Sequence, residues 1–367
     1  MHIVIVGAGG SGISNIAHIL HDLGYTNLIA IDAQASQITQ ALEKKGIPVV
    51  IGHGNYQVKA DDIIIYSEAT KDSPEVQTAF QLKKEQHLPL KIWNYFEFLG
   101  ELSKYFRTIG FTGTNGKSSS TSLAIVAGQK LIPELGLGIV GALVPDLNQQ
   151  SYYLKQEAKS EFRQLFDALF TGKKVPYALI KKYYFFLEAC EYKRHFLHLD
   201  LEMMLITTLE LDHTDYYRDF EDYCSAFVQM HQKTRKLTLA LESLKLPETF
   251  TEVKKIPLTH WNLDHIRGKT ADANASLVAG LFQVLNPALT ISALEAAMKD
   301  FKGIWRRMEF LTELPSGAKL FTDYGHVASS LTLGYETLKA RFPNHNLLAI
   351  FQPHQTHRVL LGREDFK

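Results

Sequence analysis

Two glycine-rich turns, each between an apolar run and a helix-like stretch, constrain this chain more than any other feature. The first is Gly7-Ala8-Gly9-Gly10-Ser11-Gly12, directly after Ile3-Val4-Ile5-Val6. The second is Gly113-Thr114-Asn115-Gly116-Lys117-Ser118, directly after Arg107-Thr108-Ile109-Gly110-Phe111-Thr112. A strand that runs through such a turn into a helix leaves free backbone amides at the helix N-terminus, where an anion binds. Two such units in one chain call for parallel sheets covered by helices, so the fold class is α/β.

At 367 residues the chain exceeds one ordinary core, and it divides into three parts. Residues 1–103 read as a Rossmann-like domain, with strands at Ile3–Val6, Leu28–Ile31, Val49–Ile51 and Asp62–Ser67 and a helix over about 11–23. Residues 104–303 read as a P-loop-type ATPase domain, with strands at Arg107–Thr112, Tyr184–Leu187 and Met203–Thr207 and helices at about 218–231 and 271–285. Residues 304–367 give strand 319–322, helix 329–342 and strand 346–351, an incomplete α/β layer. The stretch 151–183 is polar and rich in Lys and aromatic residues; it reads as a solvated insertion, a helical hairpin at most.

The residues of the turns carry the chemistry. Gly9, Gly10, Ser11 and Gly12 suit a pyrophosphate, and Asp32, about 20 residues further at a strand end, suits a ribose hydroxyl. This serves a dinucleotide and a UDP-sugar equally. In the second turn the amides would wrap nucleotide phosphates, Lys117 would neutralise them, and the Ser118 hydroxyl would bind Mg²⁺. Glu188 closes one strand, and Asp212-His213 follows another read over 209–211. A carboxylate and an imidazole there can complete a Mg²⁺ site with phosphate oxygens, although His213 on a plain surface turn is an equal reading.

Other function classes lose ground on composition. Lys+Arg and Asp+Glu are 39 each, so no global field argues for nucleic acid. Cys190 and Cys224 have no metal spacing and cannot form a disulfide framework, which fits a reducing compartment. The N-terminus lacks the features of a signal peptide and no uncharged apolar run is long enough for a membrane span, so the cytoplasm is expected. A nicotinamide-dependent dehydrogenase would use the first turn but leave the second unexplained.

In order, Gly113 to Ser118, Glu188-Ala189 and Asp212-His213 after an N-terminal nucleotide-type domain resemble the Mur ligases. The strings Gly9 to Ser14, Gly52-His53, Ser67 to Thr70, Glu191 to Leu199, Arg306-Arg307, Asp323 to His326 and Phe351 to His354 resemble the alanine-adding branch of that family. The resemblance implies an ATP- and Mg²⁺-dependent ligase joining L-alanine to the carboxylate of UDP-N-acetylmuramate through an acyl phosphate. It also implies roles: Gly113 to Ser119, Asn274, Arg307 and Asp323 with ATP; His53 and Ser67, beside Gly9 to Gly12 and Asp32, with the UDP-sugar. Ser118, Glu188 and His213 would hold metal, and Lys117 and His326 would lie at the reacting groups. The expected partners are these small molecules alone, without nucleic acid or membrane, in a monomer or weak homodimer.

The chain departs from the family pattern in places. Cys190 replaces an aspartate beside the metal site, Thr270-Ala271 replaces a His-Asn pair, and Val327 a histidine. The third domain is expected to be short or truncated, ending at Lys367. A divergent homologue with impaired catalysis and a ligase attaching a peptide to the same sugar acid are the competing expectations.

Overall fold

The structure is a computed structural model that describes residues 1–85, 90–266, 268–325 and 328–352. The N-terminal sheet contains β1 (Ile3–Val6), β2 (Leu28–Asp32), β3 (Val49–Ile51), β4 (Ile63–Tyr66) and β5 (Lys91–Asn94), all parallel, in the order β3-β2-β1-β4-β5. Every side chain of β1 is fully buried, as a four-residue apolar run with partners on both sides requires. Helices α1 (Ser14–Asp22), α2 (Gln37–Lys44), α3 (Pro74–Glu85) and α4 (Tyr95–Ser103) connect the strands.

A central sheet of seven strands follows. It is built from β6 (Arg107–Thr112), β7 (Leu135–Val144), β8 (Gln150–Leu154), β9 (Tyr184–Glu188), β10 (Met203–Ile206), β11 (Leu237–Leu241) and β12 (Val253–Ile256). The order is β12-β11-β10-β6-β9-β7-β8, parallel except that β8 runs antiparallel to β7. Helices α5 (Lys117–Leu131), α6 (Lys159–Thr171), α7 (Phe220–Lys233), α8 (Lys269–Leu285) and α9 (Ile291–Met298) complete this layer. A hairpin of β13 (Glu309–Glu313) and β14 (Lys319–Thr322) and then helix α10 (Ala328–Arg341) come last. Among the described residues no helix is long and apolar enough to cross a membrane.

Three expectations need correction. Residues 151–183 are neither solvated nor a helical hairpin: β8 extends the central sheet, and α6 buries Phe162, Leu165, Phe166, Leu169 and Phe170. Those positions follow the i, i+3, i+4 helical period, which sets the helix's buried face regardless of the surrounding lysines. Their rings meet the N-terminal part, with Phe98–Phe166 centroids 6.2 Å apart, Phe98–Phe170 6.1 Å and Tyr25–Phe170 5.8 Å. Residues 346–351 form no strand: Leu348 and Ile350 are 90% and 93% exposed, and among the described residues β14 pairs with β13 alone. An apolar alternation without a ladder partner leaves its backbone groups to water. Residues 209–211 are likewise loop, so Asp212-His213 lies on a connection beyond β10.

Polar groups reinforce the contact of the N-terminal part with β7, β8 and α6. Asn15 Nδ2 on α1 donates to the carbonyls of Val140 and Ser151, and the Ser151 hydroxyl donates back to Asn15 Oδ1 at 2.5 Å. Tyr152 OH donates to Asp22 at 2.6 Å, and Lys45 bridges Asp22 and Tyr152 at 2.7 and 2.8 Å. Tyr25 OH donates to Asp167 at 2.7 Å, beneath the Arg163 guanidinium 3.6 Å from its ring. One apolar cluster accordingly runs from Ile3 and Ile5 through Phe98 and Phe166 to Leu187 and Phe227.

Candidate active site

Both glycine turns lie at the C-terminal edges of their parallel sheets, where open α/β sheets bind ligands. In the first, Gly7 has φ +84°, and a Cβ there would meet Ser67 Oγ at 2.3 Å; only glycine allows β1 and β4 to end this close together. Asp32 organises the turn, its Oδ2 accepting from Gly9 N at 2.7 Å and its Oδ1 from Gln34 N at 3.2 Å. Gly10 and Ser11 stand exposed, open to a ligand. His53 is set apart by its own partner, the buried Glu75, 3.1 Å from Nδ1.

In the second turn Gly116 (φ +87°) is the left-handed N-cap of α5, and a Cβ there would come within 2.8 Å of Asn274 Oδ1. Asn274 is itself buried behind the loop, accepting from the Ser120 hydroxyl at 3.0 Å. Thr208 holds the loop from β10's end, its hydroxyl accepting from Asn115 N at 2.7 Å. Ser118 Oγ donates to Glu188 Oε1 at 3.0 Å, and Gly141 N, on β7, donates to Glu188 Oε2 at 2.7 Å. Lys117 Nζ bonds to the Gly113 carbonyl, to the Thr114 carbonyl at 3.2 Å and to Glu191 Oε1 at 2.9 Å. Burial works against the charge of Lys117, but Glu191 together with Cys190 and Glu188 outweighs it and holds the ammonium above its ordinary pKa.

Thr114, Gly116 to Ser119, Glu188 and Arg307 line one cavity of about 80 Å³. Arg307 reaches it from beyond the central sheet, between Arg306 (φ +56°) and Met308 (φ +48°), two left-handed residues that turn it inward. Asp323 supports that turn, accepting from Met308 N at 2.8 Å and Gly325 N at 2.6 Å. Ser330, on α10, donates to Asn115 Oδ1 at 3.3 Å. His326 and residues 353–367 lie outside the described residues.

His213 sits to one side. It adopts φ +53°, its ring 4.6 Å from that of Tyr192, and its Nε2 is 3.7 Å from Glu191 Oε1. The structure thus brings Lys117, Ser118, Ser119, Glu188 and Arg307 together, and it places His213 on the far side of Lys117 with Glu191. Among the described residues no group of three or more His, Cys, Asp and Glu could hold a metal ion by itself. The Ser118–Glu188 pair fits the hard-oxygen habit of Mg²⁺, which takes one or two protein oxygens and fills its shell from phosphate and water.

Sequence reasoning missed Glu191. In the sequence Cys190 reads as the loss of a carboxylate beside the metal site, yet the next residue is a carboxylate with no exposed surface that pairs with Lys117. Burial and Glu191 push the Cys190 thiol up to about 12, so it is no nucleophile at neutral pH. Tyr95 was missed as well. It packs against Gly12, and burial together with the Glu188 charge raises its pKa.

Comparison with known proteins follows the same lines. The Mur ligase family, catalytic domain, matches residues 2–107, a span that stops short of the second glycine turn. A UDP-N-acetylmuramate–L-alanine ligase of Chlorobium phaeobacteroides (strain BS1) is 25% identical over 99% of this chain and 78% of its own. The structure of the UDP-N-acetylmuramate–alanine ligase of Thermotoga maritima superposes with a TM-score of 0.75 at 20% identity, covering 100% of this chain and 82% of that one. The UDP-N-acetylmuramate:L-alanyl-γ-D-glutamyl-meso-diaminopimelate ligase of Neisseria meningitides gives 0.62 at 17% identity, covering 83% and 99%. Residues 2–107 are thus similar to the Mur ligase family, and along its whole length the chain is similar to the UDP-N-acetylmuramate–L-alanine ligases.

Proposed function

We propose that this protein is an ATP-dependent ligase that joins L-alanine to the carboxylate of UDP-N-acetylmuramate in peptidoglycan precursor synthesis. One observation carries the reading: Lys117, Ser118, Glu188 and Arg307 converge on one cavity beside a phosphate-type loop, in a chain similar throughout to alanine-adding ligases. In this reading residues 1–103 hold the UDP-sugar, 104–303 hold ATP, and the segment from 304 closes over the nucleotide.

The sugar-acid carboxylate attacks the γ-phosphorus of ATP, ADP departs, and the amine of alanine then displaces phosphate from the acyl phosphate. Such chemistry needs positioning and charge neutralisation more than a nucleophilic side chain. Lys117 and Arg307 supply positive charge at the phosphates, and the amides of Gly113 to Ser119 orient them. Ser118 and Glu188 would hold Mg²⁺, which would supply further neutralisation of phosphate charge. Gly9 to Gly12, Asp32 and Ser67 would face the UDP moiety.

The test is ADP formation with UDP-N-acetylmuramate and each candidate amine. ADP should form with L-alanine, and Lys117→Ala should lower kcat at least ~100-fold. ADP formed only with a tripeptide would move the chain to the peptide-attaching activity, and no ADP with any amine would sink the ligase reading.

A further inference from the structure

Among the described residues Glu191 is the one fully buried carboxylate in contact with the second glycine turn, and nothing in the phosphate chemistry above uses it. Its Oε1 accepts from Lys117 Nζ at 2.9 Å and from Tyr223 OH at 3.3 Å, while Oε2 is buried without a hydrogen-bond partner. Lys117 is equally committed. Its three ammonium hydrogens face three acceptors, the carbonyls of Gly113 and Thr114 and the Glu191 carboxylate. A lysine so placed is turned back into its own loop.

A phosphate that takes Lys117 must therefore displace an anion already there. The carboxylate left behind is shielded from water, which disfavours that exchange. On the other side of the carboxylate, His213 Nε2 lies 3.7 Å from the same Oε1 and 3.8 Å from Asp212 Oδ2. Tyr192, whose OH donates to Asp215 at 2.7 Å, packs its ring against His213 and fixes the imidazole there. We propose that Glu191 sets nucleotide affinity by holding Lys117 in the resting site.

This rests on the reading of 113–118 as a nucleotide loop, and the experiment separates the two. ADP is titrated calorimetrically into the full chain as wild type, Glu191→Gln and Glu191→Asp. Gln keeps the shape without the charge, and Asp keeps the charge but falls short of Lys117. Each removes the competitor, so both variants should bind ADP more tightly, by about three- to tenfold for Gln and less for Asp. A merely structural role predicts the opposite sign, because a loosened loop binds more weakly. Unchanged or weaker binding in the variants overturns the inference while leaving the loop's function intact. If the Gln variant does not fold, the Asp variant decides by the same criterion. If the wild type binds no ADP, the nucleotide reading fails and this inference falls with it.

Discussion

Two histidines show how burial sets behaviour at the level of single residues. His18 lies on α1 with its ring parallel to that of Tyr152, centroids 5.9 Å apart, and His195 stacks on Phe96 at 3.9 Å. Burial, more than any neighbouring charge, lowers each pKa from 6.5 to about 4. Both are thus neutral in the fold, while the unfolded chain takes up protons as soon as the pH drops below 6.5. Their contribution is complete above that pH and is lost as the pH falls towards 4. Chemical denaturation at pH 7.5 and pH 5 should differ by about 2 kcal/mol per histidine, and His18→Gln should remove its share of the difference. A stability independent of pH across that range would refute the assignment. The same scale shows what a sequence can and cannot reveal. Gly7, Gly116, Lys117 and Ser118 are legible because glycine's backbone and the loop's amides are local properties. Glu191 is not, since its partner stands 74 positions away and only the meeting of β9's end with the loop creates the pair.

Among the elements, α6 is the one whose reading changed most. Its lysine-rich flanks suggested a solvated excursion, while the helical period of its phenylalanines carried the true signal. Phe166 is 1% exposed, and its replacement by alanine should cost about 3–5 kcal/mol, measured by urea denaturation. Loss of less than about 1 kcal/mol would mean that the helix is not docked as described. β7 escaped notice for a different reason: Leu135-Gly136-Leu137-Gly138 looks like turn material, yet Gly138 is needed because a Cβ there would lie 2.5 Å from Ile125 Cδ1. The 346–351 run erred the other way. Its apolar residues satisfied a strand pattern, but pattern alone supplies no neighbouring strand.

For the molecule as a whole, the shared cluster under α4 and α6 makes the N-terminal and central sheets one cooperative block. Trp93 belongs to β5 of the first sheet, and Trp261 is buried in the core of the second. Single-tryptophan variants retaining one or the other should report the same denaturation midpoint; two separated midpoints would show the sheets to be independent. Beyond Ile304 no described residue is buried, so the hairpin and α10 draw little stability from packing of their own. Arg307 and Ser330 nevertheless reach the second glycine turn from that segment.

The Asn15–Ser151 and Tyr152–Asp22 bonds have a further consequence. They clamp the strand next to Glu188's partner Gly141 onto the helix that begins beside the first turn, so the two anion cradles keep the spacing given to them when the chain folded. A pair of jaws fixed in this way measures its guest instead of yielding to it. An acid lengthened by a single methylene would dock its nucleotide end normally and still present its carboxylate at the wrong depth, and discrimination of that kind would appear in turnover while affinity stayed nearly constant.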